Sequence, residues 1–215
     1  MAYTTLFFDL DDTLYASSNG LWQAIRDRMG QYMFERVGIP QEDVPAIRRH
    51  YYQTYGTTLR GLQKHHQVDA DDYLAYVHDL PLERFLHPAP ELRAMLLSLP
   101  QRRWIFTNAD SVHASRVLER LELTGCFEGV IDVRAIQFAC KPEIIAYQRA
   151  LAIAQNPAPD ECILLDDSTA NLSAASQVGL TTVWVCQNGN REPGPHYTVR
   201  SLLELPTVLP ELWSV

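Results

Sequence analysis

What most constrains the fold of this chain is a repeated pattern in which a short apolar run is closed by polar side chains and followed by a stretch of helical periodicity. Leu6-Phe7-Phe8 stops at Asp9, Arg103-Trp104-Ile105-Phe106 at Thr107-Asn108, and Cys162-Ile163-Leu164-Leu165 at Asp166-Asp167-Ser168. Two more strand-like runs lie at 129–133 and 181–185, and a last short element follows the prolines and glycine of 193–195. Continuous apolar runs are the mark of strands buried on both faces, and their alternation with helices implies crossovers onto a mostly parallel sheet. The expected fold class is therefore α/β, with a Rossmann-like parallel sheet. Helices are expected over 91–99, over 111–121 and over 169–178, the last closed by Gly179. Another is expected to open at Lys141-Pro142-Glu143, with its proline in the first turn, and to run to 155.

One interval departs from the alternation. Between residues 16 and 87 the apolar residues recur at helical spacing only, over 21–37, 41–55, 59–66 and 69–78, with Asp69 as a cap. That is too long for an ordinary connection within a sheet. The reading is an inserted all-helical cap at 16–87, on a core of 1–15 and 88–215, with hinges near Tyr15 and at Pro88 to Pro90.

Charge and composition narrow the partners. Asp plus Glu outnumber Lys plus Arg by 26 to 18, a net −8, which opposes binding to a nucleic acid polymer but admits a small anionic substrate drawn into a local positive pocket. Cys126, Cys140, Cys162 and Cys186 lack metal-ligand spacing and fit a reducing compartment. His65, His66 and His78 likewise lack ligand partners in the sequence. Met1 to Thr5 lead straight into the first strand without a basic and apolar leader, and no apolar run approaches the roughly 18–20 residues that span a bilayer. A cytoplasmic protein, monomer or homodimer, with no membrane partner is expected.

Open α/β sheets bind ligands outside the carboxyl ends of their strands. In an extended segment Asp9 and Asp11 share a face while Asp12 points elsewhere, and two such carboxylates call for a hard cation with oxygen ligands, Mg²⁺ by default. The plainer alternative is that these acids cap a helix or sit in a solvated turn. Against it, Thr107, Asn108, Asp166 and Asp167 also close strands, and Lys141 opens a helix beside them. The segment Tyr51-Tyr52-Gln53-Thr54-Tyr55-Gly56-Thr57-Thr58-Leu59-Arg60-Gly61-Leu62 reads two ways. It is a helix end with Gly56 past the last turn, or a patch of Tyr and Arg suited to bases and phosphate.

Taken together, Asp9-Leu10-Asp11-Asp12-Thr13, Thr107, Lys141-Pro142 and Asp166-Asp167-Ser168 resemble the four ordered motifs of the haloacid dehalogenase-like (HAD) hydrolases, and the helical insert resembles a C1 cap of subfamily IA. The resemblance spans essentially the whole chain. It implies Asp9 as nucleophile, Asp11 as general acid and base, Thr107 as phosphoryl ligand and Lys141 as charge partner. It also implies Mg²⁺ on the Asp9 side chain, the Asp11 backbone carbonyl and Asp167, with Asp166 acting through water or as the alternative ligand. Members that dehalogenate lack an acid at the position of Asp11, so the resemblance implies a phosphatase, with a phosphomutase using the same two aspartates.

Residues 51–62, with Pro81-Leu82 and Thr107-Asn108-Ala109, are similar to the yeast-type pyrimidine 5′-nucleotidase branch. Asp12 departs from that branch at a variable position. The similarity implies nucleoside 5′-monophosphates such as UMP or CMP, with Asn108, Tyr51, Tyr52, Tyr55 and Arg60 as substrate contacts. Sugar phosphates, phosphoglycolate and pyridoxal phosphate are the rival substrates, and a non-catalytic binding module is the rival class.

Overall fold

In the computed structural model the described residues are 3–189 and 193–214. They form two compact units, one comprising the residues up to Asn19 and from Leu86 onward, the other Gly20–Phe85. Among the described residues no helix is long and apolar enough to cross a membrane.

The first unit is built on a six-stranded sheet of β1 (Thr5–Phe8), β2 (Arg102–Phe106), β3 (Gly129–Ile131), β4 (Cys162–Asp166), β5 (Thr181–Val185) and β6 (Tyr197–Val199). The order is β3-β2-β1-β4-β5-β6 and every neighbouring pair is parallel, as the alternation predicts. The chain leaves β1 toward β2 on one side and returns to β4 on the other, so β1 flanks the point where strand order reverses. Phe8 is in register with Ile105 and with Leu165, which brings the carboxyl ends of β1, β2 and β4 level. All four β1 residues are buried, which accounts for its unbroken apolar run. Phe7, Phe106 and Tyr147 meet edge to face beneath the sheet's carboxyl edge, with centroids 6.3 and 5.5 Å apart.

Helices of this unit are α5 (Pro90–Ser98), α6 (Ser111–Arg120), α7 (Ile144–Ile153), α8 (Thr169–Val178) and α9 (Leu205–Val208), numbered after four helices of the second unit. Gly179 closes α8 in the left-handed region at φ 99°, as expected. β3 is shorter than its apolar run: Asp132 turns the chain by accepting the Ser111 and Ala135 N–H groups at 2.8 and 2.7 Å, and the Val133 N–H goes to the Ala109 carbonyl.

The second unit is helical: α1 (Leu21–Glu35), α2 (Val44–Tyr55), α3 (Thr58–His66) and α4 (Ala70–His78). Asp69 caps α4, accepting the N–H groups of Asp71 and Asp72 at 2.9 Å each. α2 starts at Val44, later than the periodicity suggests, because 40–43 close a separate turn through the Asp43 N–H and Pro40 carbonyl. α2 and α3 pack closely at Gly61, where an added Cβ would overlap the Tyr51 ring and its Cβ. Gly61→Ala is therefore expected to cost about 1–3 kcal/mol, and about 2–4 °C of Tm per kcal/mol at this chain length. A thermal melt matching the parent would show that this hairpin yields without cost.

Candidate active site

Asp9 is the first residue past β1, and its N–H still bonds the Leu165 carbonyl of β4 at 2.9 Å. Its Oδ1 accepts from Lys141 Nζ at 2.8 Å, and Thr13 Oγ1 lies 3.4 Å from Oδ2. Lys141 Nζ donates also to Asp166 Oδ2 at 2.7 Å and to the Phe106 carbonyl at 2.7 Å. An ammonium has three protons, and all three are used. Burial alone would pull Lys141 down, yet the Asp166 and Asp9 carboxylates outweigh it and hold the lysine charged, well above its ordinary range.

The lysine is placed by a contact that local sequence does not reveal. Asn108 Oδ1 accepts the Lys141 N–H at 2.9 Å and Asn108 Nδ2 donates to the Lys141 carbonyl at 3.0 Å. Both peptide groups of Lys141 are thereby tied to the end of β2, so the residue cannot join the helix it was expected to open. The Lys141-Pro142 peptide is cis, and α7 begins at Ile144, after Pro142. Asn108, expected to contact substrate, spends its amide on this lysine. Thr107 is buried at the same strand end, its Oγ1 accepting the Ala109 N–H at 3.0 Å.

Asp166 is fully buried, and besides Lys141 it accepts from the Ser168 N–H at 2.9 Å and from Asn171 Nδ2 at 2.9 and 3.1 Å. Asp167 is exposed at residue level, yet Asp9, Asp166 and Asp167 bring carboxylate oxygens within 4.8 Å of one another. Desolvation, with the charges of Asp166 and Asp11 adding to it, pushes Asp9 up to about 7 despite Lys141. Desolvation, then Asp9, Asp166 and Asp12, pushes Asp167 up to about 8. Three carboxylates against one saturated ammonium are short of positive charge, and the oxygen-only donor set fits a hard divalent cation such as Mg²⁺.

Asp11 is placed by a different backbone geometry from the one expected. The strand ends at Phe8, and residues 10–14 form a turn in which the Leu10 carbonyl accepts from Thr13 and Leu14, with Asp12 left-handed at φ 60°. Alternation of faces along a strand thus does not carry from Asp9 to Asp11. Nor does Asp12 stand clear of the site, since its charge adds to the rise at Asp167. Asp11 Oδ1 accepts from the Tyr15 hydroxyl and lies 2.9 Å from His113 Nε2. Burial and the neighbouring Asp11 charge hold the Tyr15 phenol well above its ordinary value, so it remains a donor.

Tyr15, His113, Asn171 and Gln187 were not among the expected site residues. His113 and Asn171 had a readable signal, for each lies in the first turn of a helix that follows a strand's carboxyl end. Gln187 had none: its Nε2 donates to the Asp12 and Tyr15 carbonyls at 3.2 and 3.3 Å, and its Oε1 accepts from Ser17.

The family model of haloacid dehalogenase-like hydrolases matches residues 3–179. The chain belongs to that family. It is 28% identical to phosphate metabolism protein 8 of Saccharomyces cerevisiae over 193 residues, 83% of this chain and 60% of that one, so it spans less than two thirds of that relative. It is 26% identical to human N-acylneuraminate-9-phosphatase over 95% of this chain and 92% of the other. Among solved HAD structures, Bacillus subtilis YfnB bound to magnesium superposes over all of both chains with TM-score 0.66 at 19% identity. A HAD phosphatase from Thermococcus onnurineus superposes over 95% of this chain and 96% of the other with TM-score 0.64 at 20% identity, and both likenesses concern the fold.

The tyrosines and arginine of 51–62 form their own cluster in the helical unit. Tyr51 is buried, with its hydroxyl 2.9 Å from His66 Nε2, and the Tyr55 hydroxyl is 2.7 Å from His65 Nε2. Arg60 Nη1 donates to the Tyr55 carbonyl at 3.3 Å, while Tyr52 is exposed. Gly56, at φ 82°, ends α2.

Proposed function

We propose that the chain is a Mg²⁺-dependent phosphomonoester hydrolase working through a phosphorylated Asp9, with nucleoside 5′-monophosphates as substrates. The observation that carries this reading is the Asp9 carboxylate at the end of β1, held at 2.8 Å by a lysine whose remaining protons are taken by Asp166 and the Phe106 carbonyl. In the first half-reaction an Asp9 oxygen attacks phosphorus while the ester oxygen departs with a proton from Asp11. In the second, Asp11 takes a proton from water, which displaces Asp9 and frees phosphate. The Thr107 hydroxyl binds a phosphoryl oxygen. Lys141, with every N–H engaged, acts as a fixed charge beside the nucleophile. Mg²⁺ would be held by Asp9, Asp167 and the Asp11 carbonyl, with Asp166 behind them, and supplies Lewis-acid stabilisation of the phosphoryl charge.

The nucleotide assignment is supported by the sequence similarity of residues 51–62. A sugar phosphate is the second reading, favoured by the 95% coverage of this chain in the match to N-acylneuraminate-9-phosphatase. Phosphate release from UMP, CMP, AMP, sugar phosphates, phosphoglycolate and pyridoxal phosphate separates them. Release led by UMP or CMP in Mg²⁺ and lost in EDTA is the expected result; release led by a sugar phosphate replaces the substrate class, and none from any ester overturns the reading. In the same buffers Mg²⁺ at one hundred times its Kd should stabilise the fold by about 2.7 kcal/mol. A melting curve indifferent to Mg²⁺ would remove the metal from the proposal.

A further inference from the structure

Asp11 is gripped by two side chains that take no part in the reaction as written above. The Tyr15 hydroxyl and His113 Nε2 converge on the same oxygen, Oδ1. Tyr15 comes from the turn after β1, four residues on, and His113 from the first turn of α6, 102 residues on. His113 is buried, and its backbone N–H is accepted by the capping Asp110 carboxylate at 2.9 Å, which anchors the residue in the start of α6. With Nε2 as the donor of the second contact, Oδ1 accepts from both side chains and the proton that Asp11 gives away sits on Oδ2. Two donors on one oxygen from two elements fix the carboxyl plane and aim the other oxygen.

Resting on the reading of Asp11 as proton donor, we infer that Tyr15 and His113 are positioning residues for leaving-group protonation. In that step an Asp9 oxygen forms a bond to phosphorus, the bond from phosphorus to the ester oxygen breaks, and the released electron pair takes the Asp11 proton. An alkyl ester needs that proton. A p-nitrophenyl ester does not, because its phenolate is stable without it. Misplacing the carboxyl by an ångström therefore penalises alkyl esters selectively.

The test compares kcat/KM for UMP and ribose 5-phosphate with that for p-nitrophenyl phosphate, since kcat/KM ends at the first irreversible step and excludes the later attack of water. Tyr15→Phe and His113→Leu should lose about tenfold to hundredfold on the alkyl esters and less than about threefold on the aryl ester. His113→Gln, which returns an N–H donor, should recover most of the loss. Asp11→Asn is the reference and should discriminate more strongly still. Equal losses on both ester classes, or no loss in Tyr15→Phe and His113→Leu, overturn the inference while a discriminating Asp11→Asn keeps the parent reading. An Asp11→Asn that does not discriminate overturns both. Tyr15→Phe removes a single oxygen and carries the test if His113→Leu fails to fold.

Discussion

Lys141→Met is expected to destabilise the metal-free protein by about 3–5 kcal/mol and to lower kcat by about 10²–10³-fold or more. The ammonium is 1% exposed and joins Asp9, Asp166 and the Phe106 carbonyl, so its removal strands two carboxylates and one carbonyl together in the interior. Methionine restores volume and nothing else. Asp166 keeps its bonds from Ser168 and Asn171, which leaves Asp9 as the group that suffers most. Two comparisons isolate the electrostatic share. Adding Asp166→Asn to Lys141→Met should recover part of the loss, and Mg²⁺ should recover more, because a cation on Asp9 and Asp167 replaces the missing charge. Urea unfolding in EDTA and in Mg²⁺ measures both, and a Lys141→Met protein as stable as its parent in EDTA would mean that the lysine does not hold these carboxylates.

The sheet was legible because strands buried on both faces are written as apolar runs, and their carboxyl ends are where the polar residues stand. Leu6-Phe7-Phe8 and Cys162-Ile163-Leu164-Leu165 carry both signals, and β1 and β4 lie where they predict. Three features of the site were not legible, each for a reason of sequence distance or backbone geometry. Asn108 fixes Lys141 across 33 residues, so no local rule sees that Pro142 stays outside α7. The turn after Phe8 replaces strand alternation, so period-two reasoning does not describe how Asp11 is placed relative to Asp9. His113 meets Asp11 across 102 residues, and only the sheet order brings them together. Within residues 51–62 the end of a helix was legible from Gly56, which terminates α2.

Asp9→Asn is expected to abolish turnover, by about 10⁴-fold or more, while stabilising the metal-free fold in a pH-dependent way. The amide cannot form the phosphorylated intermediate, yet its oxygen can still accept from Lys141. The sign of the stability effect follows from where Asp9 titrates. Its carboxyl is pushed from the ordinary 3.8 up to about 7 in the folded chain, first by desolvation and then by the Asp166 and Asp11 charges against Lys141. The folded state therefore holds this proton more tightly than the unfolded one. Stability linked to it is complete below about pH 4 and is lost as pH rises to about 7, where the ionised carboxylate bears its full penalty. The neutral amide escapes that loss, so the advantage of Asp9→Asn over its parent in EDTA should be small near pH 4, grow through the interval and level off above 7. In saturating Mg²⁺ the order should reverse, because the parent carboxylate binds the cation and the amide binds it weakly. Melting curves across that range, with EDTA and with Mg²⁺, read the whole effect. An advantage that does not change with pH would place Asp9 in a solvated setting and remove the charge crowding on which the case for a metal rests.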